Sequence, residues 1–202
     1  MPFVRTWYGQ TSNYIWEDDA GAVHNIQQGE GGEQGDALMP ALFCLAIKPA
    51  LAEIQARLRP DELVVAYLDD IYILTQPERA REAYDTAAAV LHEQCGIAVN
   101  HGKLVSWNKA GTPEPAGLAD LNTPSHRVWK SDVSFESRGI VVVGTPLGHA
   151  SFVEAHGRER AREEQELLNW ITQMPSSQAA WLLLLFCAVP RANHLLRTVP
   201  PT

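Results

Sequence analysis

Two apolar runs rich in β-branched and aromatic residues, 63–68 and 71–74, flank the adjacent pair Asp69 and Asp70. Each run has the length and composition of a buried strand. Aspartate is poor inside a strand and good in a tight turn, so the pattern predicts an antiparallel hairpin with both carboxylates at its tip. Residues 1–28 predict a helix end and a second hairpin, in which 14–16 and 23–26 bracket the polar tip Glu17-Asp18-Asp19-Ala20-Gly21. Helical spacing runs through Leu38, Leu42, Leu45, Leu51, Ile54 and Leu58, with Asp36 as N-cap, Pro40 in the first turn, and a kink or division expected at Lys48-Pro49. Thr75 and Glu78 have capping-box spacing ahead of a helix that Gly96 should stop.

Further strands are expected at 97–99 and 105–108, and a strand and turn over 139–148. Residues 109–127 hold Gly111, Pro113, Pro115, Gly117 and Pro124 without an apolar period, which predicts a loop or insertion. From about Ser151 the pattern turns helical: a charged helix to Met174, a break at Pro175-Ser176-Ser177, an apolar helix over 178–189, an interruption at Pro190, and a continuation through Arg191 and Arg197. These elements predict an α+β fold. Residues 1–150 form an antiparallel sheet with helices on one face, and 151–202 form a helical segment.

The glycine-rich stretch 29–35 carries Gly29, Gly31, Gly32 and Gly35. Glycine permits close backbone approach to a ligand, and a plain flexible loop explains the same composition. A Walker-type phosphate loop is excluded, because no Gly-Lys-Ser/Thr follows. Two carboxylates side by side repel each other and bind a hard divalent cation through oxygen, typically Mg²⁺. An ordinary acidic turn is the alternative for Asp69 and Asp70.

Four blocks occur in a fixed order: Gln34-Gly35-Asp36 with Pro40, Leu42 and Phe43; Tyr67-Leu68-Asp69-Asp70; Asn100-His101-Gly102-Lys103; and the region around Gly144. In that order and spacing they resemble the palm motifs of reverse transcriptases of the non-LTR retrotransposon and retron type. The resemblance covers about residues 1–200 and is weakest over 109–138. It implies that Gln34, Gly35 and Tyr67 lie against template and incoming nucleotide, and that Asp69 and Asp70 hold Mg²⁺. It implies a catalytic role for Lys103 beside the departing pyrophosphate, with a plain surface lysine as the alternative. Gly144 would lie near the primer end. Arg191 and Arg197, with Asn193 and His194, would contact duplex phosphates from a thumb-like segment, with helix-end charge as the alternative. The implied partners are an RNA template, a DNA primer and deoxynucleoside triphosphates, and Tyr67 favours DNA over RNA synthesis.

The family's first motif, a strand ending in another metal-binding aspartate upstream of the Gln-Gly block, has no counterpart here; Asp18 or Asp19 as its replacement is the minor reading. The expectation is therefore a partial palm over 1–150 and a thumb-like start over 151–202, with an incomplete two-metal site and no activity alone. The alternative is a non-enzymatic retroelement-derived remnant or interaction module.

A net charge of −8 argues against autonomous tight nucleic-acid binding, which draws on Lys and Arg. Cys44, Cys95 and Cys187 lack metal-site spacing and suggest reduced, mostly buried thiols. The apolar run 179–189 is eleven residues, short of a membrane span, and predicts a buried helix. With no signal-like start, the expectation is an intracellular protein without membrane contact; oligomeric state is left open.

Overall fold

The computed structural model describes residues 2–29, Gly32 and 35–199. The architecture is mixed α and β, with small antiparallel sheets between helices. The chain divides into two compact units, Met1–Ala46 and Ile47–Thr202.

In the first unit, helix α1 (Pro2–Tyr8) precedes strands β1 (Asn13–Glu17) and β2 (Val23–Gln27), paired in register from Asn13↔Gln27 to Glu17↔Val23. The predicted tip is there. Asp18 Oδ1 accepts the amides of Ala20 and Ala22 at 3.0 and 2.9 Å, and Oδ2 lies 2.8 Å from His24 Nε2. His24 first, and then these amides, hold the Asp18 carboxyl below its usual range. Its oxygens thus serve the turn. Asp36 likewise accepts from the Tyr8 hydroxyl at 2.5 Å and from the Leu38 amide at 2.7 Å, three residues ahead of the start of the helix it was expected to cap.

That helix, α2 (Met39–Arg57), runs through Pro49 without dividing. Its inward stripe is Ile47, Ala50 and Ile54, continued by Leu58 just past its end, whereas Leu38 and Leu45, predicted in the stripe, are exposed. The second unit continues with β3 (Leu63–Tyr67), β4 (Asp70–Leu74) and α3 (Ala80–Cys95), which buries Ala83, Ala87, Val90 and Leu91. Gly96 closes α3 in the left-handed region at φ 66°, with its own amide on His92 O and the Ile97 amide on Leu91 O. That closure turns the chain away, and 97–99 form no strand, contrary to expectation.

The predicted strand at 105–108 is likewise reduced to a bridge between Ser106 and Trp129. The stretch 109–127, read as a loop or insertion, instead supplies Leu118 and Leu121 to a core cluster completed by Val128 and Trp129, with Ala80, Tyr84 and Leu104 packed on it. Its backbone is irregular, so side chains satisfy it. The fully buried Ser131 hydroxyl bridges Asn108 N and O at 2.6 and 3.0 Å, and Asn122 Oδ1 takes the Val128 amide at 2.7 Å.

Strands β5 (Gly139–Val142) and β6 (Thr145–Gly148) form a third hairpin, followed by α4 (Ala150–Thr172), α5 (Ser177–Leu183) and α6 (Val189–Thr198). One expectation is corrected here: each sheet among the described residues is two-stranded, and no single palm-like sheet joins them. Another correction concerns Pro190, which does not interrupt the last helix. A π-turn, Leu184–Ala188, absorbs it instead, with the Val189 amide reaching back to Leu184 O. A proline has no amide to give and crowds the carbonyl four residues earlier, and the wider turn relieves both problems. This apolar segment is not buried as expected, since Trp181 and Phe186 are 60% and 68% exposed. Two helical stretches, Met39–Arg57 and Ser177–Thr198, are long and apolar enough to cross a membrane by length and composition alone.

The base of the β3–β4 hairpin is fixed by Glu62. Its carboxylate is buried and accepts from Thr75 Oγ1 (2.6 Å), the Arg59 amide (2.8 Å) and Arg79 Nε (3.2 Å). Thr75 therefore serves Glu62 and not the predicted capping box with Glu78. From α2, Gln55 donates to Glu62 O at 2.9 Å and accepts from the Val64 amide at 3.0 Å. Burial alone would raise the Glu62 carboxyl; the bonds from Thr75, Arg59 and Arg79 outweigh it and bring the pKa from 4.5 to about 2.

A carboxyl depressed in the fold contributes stability that is complete above its unfolded value and is lost as pH falls through the folded one. Chemical denaturation should show stability declining from about pH 5 toward 2, with a shallower decline in Glu62→Gln. Glu62→Ala should cost about 3 kcal/mol at pH 7, the low end for an orphaned buried partner, because Arg79 also pairs with Glu82. A flat wild-type profile over that window would show that the pair contributes no net stability.

Candidate functional site

The β3–β4 register, Leu63↔Leu74 to Tyr67↔Asp70, leaves Leu68 and Asp69 as a two-residue turn. Adjacent carboxylates thus stand at the tip of an antiparallel hairpin, both exposed. The flanking strands are less buried than their composition suggests: Leu63, Val65 and Tyr67 face solvent while Val64 and Ala66 are half-buried. A two-stranded ribbon finds cover on one face only, so the apolar runs alternate. Leu68 holds the turn at φ 55°, a left-handed conformation unusual for leucine.

Tyr72, which the sequence did not single out, is half-buried on β4 and connects this turn to another. Its hydroxyl lies 3.4 Å from Asp70 Oδ2 and close enough to the Val143 backbone to be influenced by it. Burial first, and then the charge of Asp70, raises its pKa. Val143 and Gly144 are the turn of the β5–β6 hairpin, paired Val142↔Thr145, with φ 48° and 76°. Positive φ at both central positions is the mirror-type turn that matches strand twist, and it favours Asn-Gly, not Val-Gly. Thr145 Oγ1 in turn lies 3.3 Å from His194 Nε2 on α6. The regions of Asp69–Asp70, Gly144 and His194 therefore meet through Tyr72 and the 143–145 turn.

The other predicted residues are placed as follows. Tyr67 is 59% exposed and sits opposite Asp70. Lys103 is exposed on a turn shaped by Asn100, whose side chain accepts the Gly102 amide at 2.9 Å. Neighbouring His101 meets the Tyr84 hydroxyl at 2.6 Å, and among the described residues no hydrogen bond or ion pair joins Lys103 to the acidic tip. Arg191 is directed to Glu164 at 3.4 Å and Arg197 is exposed in the last turn of α6. Gly35 is exposed with φ 97°, and Gln34 lies outside the described residues.

Among the described residues no group of three or more His, Cys, Asp or Glu side chains could hold a metal. Asp69 and Asp70 are hard oxygen donors on one turn. They suit one largely hydrated Mg²⁺ and fall short of enclosing two ions about 4 Å apart.

Similarity to known proteins points in one direction. The chain is 25% identical over 191 residues to the retrotransposable element SLACS 132 kDa protein of Trypanosoma brucei gambiense, covering 94% of this chain and 15% of that protein. It is 32% identical over 132 residues to the transposon TX1 uncharacterized 149 kDa protein of Xenopus laevis, covering 59% of this chain and 9% of that protein. Distant similarity to two transposable-element proteins supports a retroelement-related origin. The chain spans under a sixth of either relative's length. No family model and no solved structure matches it.

Val143 offers a direct test of the turn geometry. Val143→Asn places the preferred residue at a left-handed position and should raise stability by about 1 kcal/mol, or about 2–4 °C in Tm, by calorimetry. A lowered Tm would show that the turn at 143–144 is not of this type.

Proposed function

We propose that this chain is part of a reverse transcriptase, built from palm elements over 1–150 and the start of a thumb over 151–202. The observation that carries the proposal is the Asp69–Asp70 pair at a two-residue hairpin tip, joined through Tyr72 to the turn containing Gly144. In the sequence, that turn resembles the family's primer-side block. The similarity to two transposable-element proteins supports the same reading.

In this proposal Asp69 is the principal Mg²⁺ ligand and Asp70 assists. Tyr72 orients Asp70, and Tyr67, Gln34 and Gly35 lie on the nucleotide and template side. Lys103 acts at the pyrophosphate, and Gly144, Arg191 and Arg197 lie along the primer duplex. Mg²⁺, when bound, would activate the attacking hydroxyl and stabilise the leaving group in adding deoxynucleotides to a DNA primer on an RNA template. The residues themselves supply charge and position: two exposed carboxylates on one tight turn, in no ion pair among the described residues.

One observation favours the second reading, a non-enzymatic retroelement-derived module: the described residues lack a third carboxylate beside the pair. The two readings agree that the 202-residue chain does not extend a primer by itself.

Titration calorimetry should show Mg²⁺ binding weakly, with a Kd of about 1 mM, and lost in Asp69→Asn, which keeps the shape and removes the charge. Primer-extension assays on an RNA template should give no product from this chain alone. Supplying a strand-end aspartate on an added upstream segment should then produce extension that Asp69→Asn abolishes. Extension by the unmodified chain that survives Asp69→Asn would put the active site elsewhere. Mg²⁺ binding unchanged by Asp69→Asn would favour the non-enzymatic module.

A further inference from the structure

A cavity of about 30 Å³ is lined by Trp107, Lys109, Phe135, Arg138 and His149, none of them in the acidic hairpin. Its wall is predominantly apolar. The Phe135 and His149 rings meet edge-on, with centroids 4.7 Å apart, and the Arg138 guanidinium lies 5.7 Å from the Phe135 ring centre. Phe135 is 54% exposed, whereas the Trp107 indole Nε1 is buried with no acceptor. A buried N–H without a partner calls for explanation, and a ligand acceptor is one.

Most of the chain's arginines are paired with carboxylates; among the described residues Arg5, Arg59, Arg138 and Arg197 are in no ion pair. Arg127, Arg158, Arg160, Arg162 and Arg191 each meet a carboxylate. Arg138 meets none among the described residues; its nitrogens donate to the carbonyls of Val133 and Ala110 at 3.2 and 3.1 Å. Those carbonyls fix the guanidinium without neutralising it. Gly111, at φ 66°, has no side chain where the guanidinium lies, and the loop is tied down by Asn108, whose Oδ1 accepts the Gly111 amide at 2.7 Å. The result is a preorganised cation over an exposed aromatic ring, with Lys109 beside it.

We propose that this cluster is a nucleotide subsite for single-stranded nucleic acid. A base stacks on the exposed face of Phe135 with its edge toward the apolar cavity and the Trp107 N–H. The adjoining phosphate meets Arg138 and Lys109. The cavity is too small for a whole base, so the ring lies across its mouth. Aromatic stacking with an adjacent guanidinium is how single strands are held without sequence readout. The site involves neither Asp69 nor Asp70, and it stands or falls separately from the polymerase reading.

Anisotropy of a fluorescent oligouridylate with the full 202-residue chain, at low salt and in EDTA, tests it. EDTA removes any metal contribution from the acidic tip. Phe135→Ala should weaken binding about tenfold and leave the salt dependence unchanged. Arg138→Gln should weaken it by a similar factor and reduce the slope of log K against log salt by about one. Arg158→Gln, which removes an arginine already paired with Glu154, should bind as wild type. Circular dichroism checks folding; Phe135 is exposed, so its variant carries the test if Arg138→Gln unfolds. Wild-type affinity in Phe135→Ala overturns the proposal. So does a polyphosphate that competes as well as the oligonucleotide, since that would mean charge alone is being read.

Discussion

The buried carboxylate of Glu62 determines where the acidic hairpin stands. It gathers Thr75 from the end of β4, Arg79 from the approach to α3 and the Arg59 amide from the turn before β3, while Gln55 of α2 secures the same turn from its other side. Burying a charge is costly unless every lone pair is used, and here the hydrogen bonds surpass the desolvation cost by enough to keep the group ionised. A two-stranded ribbon is marginal by itself. This one is held at its root, so Asp69 and Asp70 at the far end keep a defined geometry although they are exposed.

Much of this was legible in the residues. The Asp-Asp tip, the first hairpin, the glycine closure of α3 and the break at Pro175 all follow from local turn and cap chemistry, which a few adjacent side chains decide. The Glu62 network was not legible, because Glu62 sits in a Pro-Asp-Glu run that reads as a plain turn, and its partners are 13 and 17 residues away. The core around Leu118, Leu121, Val128 and Trp129 was missed for another reason. Its backbone bonds run to Asn108, Asn122 and Ser131 side chains, so no period of 2 or 3.6 marks it. Strands expected at 97–99 and 105–108 failed because β propensity records fit to a neighbouring strand, and there the chain offers a helix closure and a single bridge. Of the predicted site, the acidic pair and Gly144 are brought together by Tyr72, a tyrosine that alternation alone would assign to packing.

The charge distribution has its own logic. A chain of net charge −8 neutralises most of its arginines internally, in part along α4, where Glu154, Glu159 and Glu163 pair with Arg158, Arg162 and Arg160. Exposed pairs at this spacing contribute little stability each, but they remove free positive charge from the surface. An arginine that escapes this cancellation therefore stands out more here than it would in a basic protein.

Each of the three hairpins closes its own hydrogen bonds, and none lends a strand to another among the described residues. Such a layout makes the fold modular under mutation. Energetic effects of substitutions that share no contact add without amplifying one another, whereas substitutions at Tyr72 and in the 143–145 turn beside it should couple. A lineage could thus lose the carboxylates at one tip and keep every other element in place. Shape would outlast chemistry, and sequence drift in a copied element would erode one ribbon at a time.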